Sequence, residues 1–328
     1  MAQPDLELNS LKYITTVLKI LGLLSCSFEA ILKLKSSDQI FPKKRIVYCI
    51  TFGIISTLIS IQGLRDCPRK YSTPLAKITT ILQRYGSVLI ISLTYGFNTF
   101  FRHKLYNSIK ILLKVDEILN AKNMKPIKSK TKVYFVYFAS TILLVSTSTF
   151  LLIYESHGFN RKCSFQYHIC NVVITTTVCF IMLLMLEIWR RLIILNKYLT
   201  NIIKKSWTNV SLIYRELVKI SEIHLDLCQA ADSLNRYFEV QILTIFGVSF
   251  YFFISIFFYF FTGENIFTTY NKLFFIYNAL IFRALFLFFQ LWGTVYTLSE
   301  VAKESKKIIE IVHTMKINTT NSNIRVWV

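Results

Sequence analysis

The chain has 328 residues, 53% hydrophobic and 15% aromatic, with only 17% charged, against about 25% charged in soluble domains. An interior this apolar calls for an apolar solvent, which excludes an ordinary soluble domain and points to a bilayer. The net charge of +20 would suggest nucleic acid if the basic residues formed one patch, but they lie between apolar runs, where topology selection and anionic lipid account for them.

The first apolar-leaning stretch, 11–32, carries Lys12, Lys19 and Glu29, with Leu11, Ile14, Leu18, Leu21 and Leu24 at helical spacing. Its mixed charge favours an amphipathic helix lying on the membrane over a span. A span needs about 20 apolar residues. Residues 46–64 and 85–101 are charge-free, the second extending back towards 79 if Arg84 is accommodated. The runs 133–154, 163–186 and 240–263 are charge-free too, and 273–299 is apolar around Arg283. The fold class expected is therefore an all-α membrane protein, a bundle of six transmembrane helices. Its divisions are an amino-terminal segment 1–45, a transmembrane domain 46–299 that includes helices at 190–239, and a tail 300–328. All five prolines lie outside the spans, so no proline kinks are expected.

Lysine and arginine sort by side. Segments 1–45, 102–132, 190–238 and 300–328 hold 29 of them, and the alternate loops hold 7. That bias places both termini in the cytoplasm. The sequons at Asn209 and Asn318 then stay unglycosylated. Three segments on that side show heptad-like seams. They are Leu192, Leu195, Leu199 and Ile202; then Ile213, Leu217, Ile220, His224, Leu227, Ala231 and Leu234; then Val301, Ser305, Ile308, Val312 and Met315. Such seams either pack on their own neighbours or join subunits, with Leu217, Ile220, Leu227 and Leu234 as assembly candidates.

Few residues carry chemistry. The seven cysteines form no CxxC pair and the five histidines no HExxH motif, so no metal or other cofactor is indicated. No constellation of catalytic groups stands out, and no enzyme is expected. A Cys67–Cys163 disulfide is an open option for the outer side. Arg283, inside a span, is a functional-site candidate by its cost in the bilayer, though a structural pairing explains it equally. The outer halves of the spans hold a polar and aromatic set, namely Ser87, Tyr154, Tyr167, His168, Asn171, Thr175, Tyr277 and Asn278. Such a set could line a small-molecule pocket or form an interfacial belt.

Several stretches resemble the insect gustatory receptors of the seven-span chemosensory superfamily. These are Leu18-Lys19-Ile20-Leu21-Gly22-Leu23, the run from Ile109 to Met124, Leu192 to Leu199, Leu234-Asn235-Arg236-Tyr237-Phe238 before the aromatic fifth span, and Glu300 to His313. The resemblance implies a plasma-membrane, multi-pass, ligand-gated cation channel subunit. It further implies a homo- or hetero-tetramer that detects a small-molecule tastant in the outer halves of spans two to six. The family ends in a seventh span with a Thr-Tyr and Gln-Phe signature lining the pore, whereas this chain stops at Val328 after a polar run. The expectation is therefore a truncated product, or a six-span form that acts as a non-conducting or modulatory subunit. An odorant receptor of the same superfamily is the neighbouring reading.

Overall fold

The computed structural model describes residues 9–25, 41–65, 74–121, 161–205, 210–262 and 270–318; some side chains within these helices, those of 161–168 and 270–280 among them, are not described. The described elements are seven α-helices. They are α1 (Asn9–Ile20), α2 (Lys43–Arg65), α3 (Pro74–Phe100), α4 (Arg102–Ala121), α5 (Arg161–Lys205), α6 (Val210–Thr262) and α7 (Tyr270–Asn318). No strand occurs among the described residues. The fold is thus all-α, as the charge-free runs require. Lys43–Gln62 and Ile169–Ile203 are, among the described residues, long and apolar enough to cross a membrane. The expected third span, 133–154, lies outside the described residues.

The chain divides into two compact units. Unit 1 takes Met1–Arg102, Lys130–Ile181 and Tyr237–Gly293; unit 2 takes His103–Ser129, Met182–Arg236 and Thr294–Val328. The long helices α5, α6 and α7 contribute residues to both.

In unit 1, α1 stops earlier than the 11–32 expected. Gly22 adopts φ +66°, a left-handed conformation that glycine takes without a Cβ clash. The Gly22 N–H donates to Lys19 O at 3.2 Å and the Leu23 N–H to Leu18 O at 2.8 Å, the two bonds of a Schellman helix end. Leu18 and Leu23, the apolar pair that accompanies this motif, are both buried. The stretch Leu18 to Leu23 is thus a helix terminator. The carbonyls left over are satisfied by phenols: Tyr48 donates to Ile20 O at 2.6 Å and Tyr95 to Leu21 O at 2.7 Å. α2 and α3 approach closely where Gly53 faces Tyr95, since a Cβ there would lie 2.9 Å from the tyrosine's own. The other side of α2 leaves Val47, Ile50, Ile54, Leu58 and Ile61 exposed, an apolar stripe suited to lipid.

In unit 2, parts of α4, α5, α6 and α7 are tied to one another by polar side chains. Lys114 on α4 pairs with Asp226 on α6 at 2.9 Å. Tyr198 on α5 donates to Glu216 on α6 at 2.8 Å. Asn196 on α5 donates from Nδ2 to the Glu304 carbonyl and carboxylate of α7, each at 3.0 Å. Between these ties run apolar seams. Leu192, Leu195 and Leu199 are buried as expected. On α6 the buried line is Ile220, Ile223, Leu227, Ala230 and Leu234, with Leu217, His224 and Ala231 only half-buried beside it. On α7 the buried residues are Val301, Glu304 and Ile308, with Ser305 half-buried. The seams therefore run along the expected helices, with Ile220, Leu227, Leu234, Val301 and Ile308 buried as the pattern has them and burial moved by one residue at Ile223, Ala230 and Glu304; the side chains of Ile213, Val312 and Met315 lie outside the described residues.

Candidate functional site

A groove of about 510 Å3 lies in unit 1 between α3 and α6. α3 lines it with Leu82, Tyr85, Gly86, Val88, Leu89 and Ser92, and α6 with Gly247, Val248 and Tyr251. Two glycines make the space. A Cβ on Gly247 would meet nothing within 4 Å, and one on Gly86 would come within 3.0 Å of the Val248 side chain. Tyr85 is 62% exposed and Leu89 50%, so the groove opens sideways rather than being sealed. Its polar groups are few: the two tyrosine hydroxyls and Ser92, whose Oγ is 3.4 Å from Thr57 Oγ1. Apolar walls with a few fixed polar groups are the usual make-up of a small-molecule site.

Farther along the same two helices, Asn98 is a buried hub. Its Oδ1 accepts from the Tyr237 hydroxyl at 2.8 Å and from Gln241 Nε2 at 3.1 Å, and its backbone carbonyl accepts from Ser25 at 3.1 Å. Tyr237 is itself fixed by Phe238, ring centroids 4.6 Å apart, and Phe238 meets Phe180 of α5 edge-on at 6.1 Å. A third polar contact joins α7 to α5, where Gln290 Nε2 donates to Thr175 Oγ1 at 3.1 Å. These bonds hold α3, α5, α6 and α7 in one arrangement around the apolar interior of unit 1.

Unit 2 carries a buried ionic cluster. The Arg191 side chain is 1% exposed, and its guanidinium reaches Asp116 on α4 and Glu187 one turn earlier on α5. Nε donates to Asp116 Oδ1 at 2.8 Å, Nη2 donates to Asp116 Oδ2, and Nη1 donates to Glu187 Oε2 at 2.9 Å and to the Glu187 carbonyl at 2.6 Å. Arg190 Nη2 adds a contact to the same Glu187 carboxylate at 3.1 Å. The run Glu187 to Arg191 thus supplies most of a buried ionic cluster in unit 2.

A helical bundle with a small apolar groove and buried polar contacts is an architecture that serves many functions. The sequence decides among them. A model of the 7tm chemosensory receptor family matches residues 11–326. The chain belongs to that family. A search of curated proteins gave no match. The family is one of receptors rather than enzymes.

The receptor places the expected pocket residues unevenly. Ser87 is fully buried on α3 and is absent from the groove lining that Gly86 and Val88 share. Asn171 and Thr175 are one turn apart on α5, the first half-buried and the second buried as the acceptor from Gln290. Tyr167 and His168 on α5, and Tyr277, Asn278 and Arg283 on α7, belong to helices, but their side chains lie outside the described residues. Tyr154 lies outside them altogether, as does Cys67, and the side chain of Cys163 is not described either. Of the assembly candidates, Ile220, Leu227 and Leu234 are covered by this chain's own atoms and Leu217 partly so. No group of three or more metal-binding side chains occurs among the described residues. Asn98, Gln241 and Gln290 do not stand out in the sequence, and Tyr237 does so only within the stretch Leu234 to Phe238. Amides within apolar runs were the available signal, as were Gly86 and Gly247 in two otherwise bulky spans.

Proposed function

We propose that this receptor is a gustatory receptor, a subunit of a ligand-gated cation channel of the plasma membrane that detects small, largely apolar tastants. The observation that carries the reading is the groove between α3 and α6. It has the volume of a small-molecule site, and its sideways opening beside exposed apolar residues suits a ligand that partitions into lipid first. Binding opens a pore only through a difference in affinity between closed and open states. A molecule wedged between α3 and α6 supplies such a difference if opening changes their spacing.

The charge bias supports a cytoplasmic placement of both termini and of the basic segments 102–132 and 190–238 that supply much of unit 2. Assembly with further copies or with other receptor subunits into a tetramer uses the exposed stripe of α6 formed by Tyr214, Val218 and Leu225, since the seam beside it is already occupied. The test is calcium imaging of cells expressing the receptor, alone and with partner subunits, against a panel of lipophilic and polar tastants. Gly247→Leu, which fills the groove, abolishes responses to the lipophilic set at unchanged surface level. Full responses in that variant refute the site.

A further inference from the structure

Unit 2 also holds a nucleophile with a base beside it. His224 and Cys228 are four residues apart on α6, which places both side chains on one face. His224 Nε2 lies 3.7 Å from Cys228 Sγ and 3.1 Å from Ser305 Oγ on α7, and Sγ lies 3.8 Å from that same hydroxyl. Three groups able to pass a proton thus form one triangle. Of the cysteines described as free thiols, Cys49, Cys170 and Cys179 are buried, whereas Cys228 is only half-buried. The contact with His224 holds the Cys228 thiol below its ordinary range, and the same contact raises His224. The thiolate is the attacking form of cysteine, and a neighbouring histidine is a recurrent way to populate it.

We propose that Cys228 is a covalent modification site for soft electrophiles of the α,β-unsaturated carbonyl class, with His224 as the base and Ser305 orienting its ring. The sulfur forms a C–S bond to the β carbon, and the C=C π pair moves to the α carbon as an enolate. The thiol proton passes to His224 Nε2 and from there to the α carbon. The product is a thioether, all atoms of both reactants are retained, and no oxidant is needed. An adduct at this position adds bulk between α6 and α7 beside Ser305, so it alters how these helices meet within unit 2. The inference is independent of which tastant the receptor detects.

The test uses the full chain purified in detergent and N-ethylmaleimide as the electrophile, with adduct formation followed by peptide mass spectrometry over time. A free thiol of pKa about 8.5 is roughly 3% ionised at pH 7, so full activation gains roughly thirtyfold in thiolate, partly offset by the lower nucleophilicity of a more acidic thiol. Cys228 labels several-fold faster than glutathione under the same conditions, and His224→Gln slows it about fivefold while the other cysteines keep their rates. Equal rates in wild type and H224Q overturn the proposal. So does a Cys228 that labels only after denaturation. Should H224Q not elute as the native protein does, Ser305→Ala provides the comparison: slower labelling at Cys228 supports the triangle, and an unchanged rate overturns it.

Discussion

Replacing Arg191 by Met tests the ionic cluster of unit 2. Methionine keeps much of the side-chain volume and removes the charge, so the effect read is electrostatic rather than a cavity. Breaking a buried ion pair by deleting one partner costs about 3–5 kcal/mol, because the remaining charge stays desolvated. Two features place this case near the lower figure. Glu187 keeps its contact with Arg190 at 3.1 Å, and the Asp116 side chain is 26% exposed and can turn to water. About 3 kcal/mol corresponds to a fall in melting temperature of roughly 4 °C for 328 residues at about 2.1 cal/mol/K of unfolding entropy per residue. The assay is thermal unfolding in detergent, followed by the loss of the monodisperse peak in size-exclusion chromatography. Adding Asp116→Asn to R191M removes one stranded charge and restores more than half of the loss. Arg236→Met, which breaks the exposed pair with Asp232 at 3.0 Å, is the control and leaves the curve unchanged, as surface pairs do. A shift below about 2 °C for R191M, or one no larger than that of R236M, refutes the view that this cluster holds α4 to α5.

Other outcomes follow from single side chains. Leu227→Ala empties a fully buried position and costs about 2–5 kcal/mol, whereas Leu225→Ala, exposed on the same helix, leaves the melting curve unchanged and reduces only subunit association measured by cross-linking. Asn98→Leu strands Tyr237 and Gln241; at about 1–3 kcal/mol per unsatisfied buried group it costs more than Tyr237→Phe, and equal losses would show that the hub is not shared. Gly22→Ala forces a Cβ onto a left-handed residue and towards Phe52, 3.0 Å away, so it costs about 1–2 kcal/mol or more and lowers the melting temperature, while Gly247→Ala meets open space and does not.

The helices were legible because apolar runs and heptad spacing report which residues avoid water along one element. Leu192, Leu195 and Leu199 are buried where the pattern put them. Periodicity says nothing about what lies opposite, so it could not distinguish Ile223 and Ala230, which are buried, from His224 and Ala231, which flank them. The same limit hid the ionic cluster. Glu187 and Arg191 are neighbours on one helix, but Asp116 is 75 residues away, and only packing brings it in. The groove was hidden for another reason: it is defined by missing side chains, at Gly86 and Gly247, where the sequence search looked for polar ones. The end of α1 was hidden inside the stretch Leu18 to Leu23, since Gly22 gives no apolar signal and acts through its backbone alone.

The Asn98 hub also bears on how the protein is made. Its two side-chain partners on α6 lie 139 and 143 residues further along the chain. At about 5–20 residues per second, α3 emerges roughly 7–30 s before either partner exists. During that interval an amide oxygen that accepts two bonds from α6 in the finished receptor must enter the bilayer with neither of them, where an unmet polar group is costly. The early helices therefore depend on the insertion machinery, or on a provisional partner, until α6 is threaded. Ribosome-bound chains that end before Tyr237 should remain cross-linkable to that machinery from α3, and release should coincide with synthesis of Gln241.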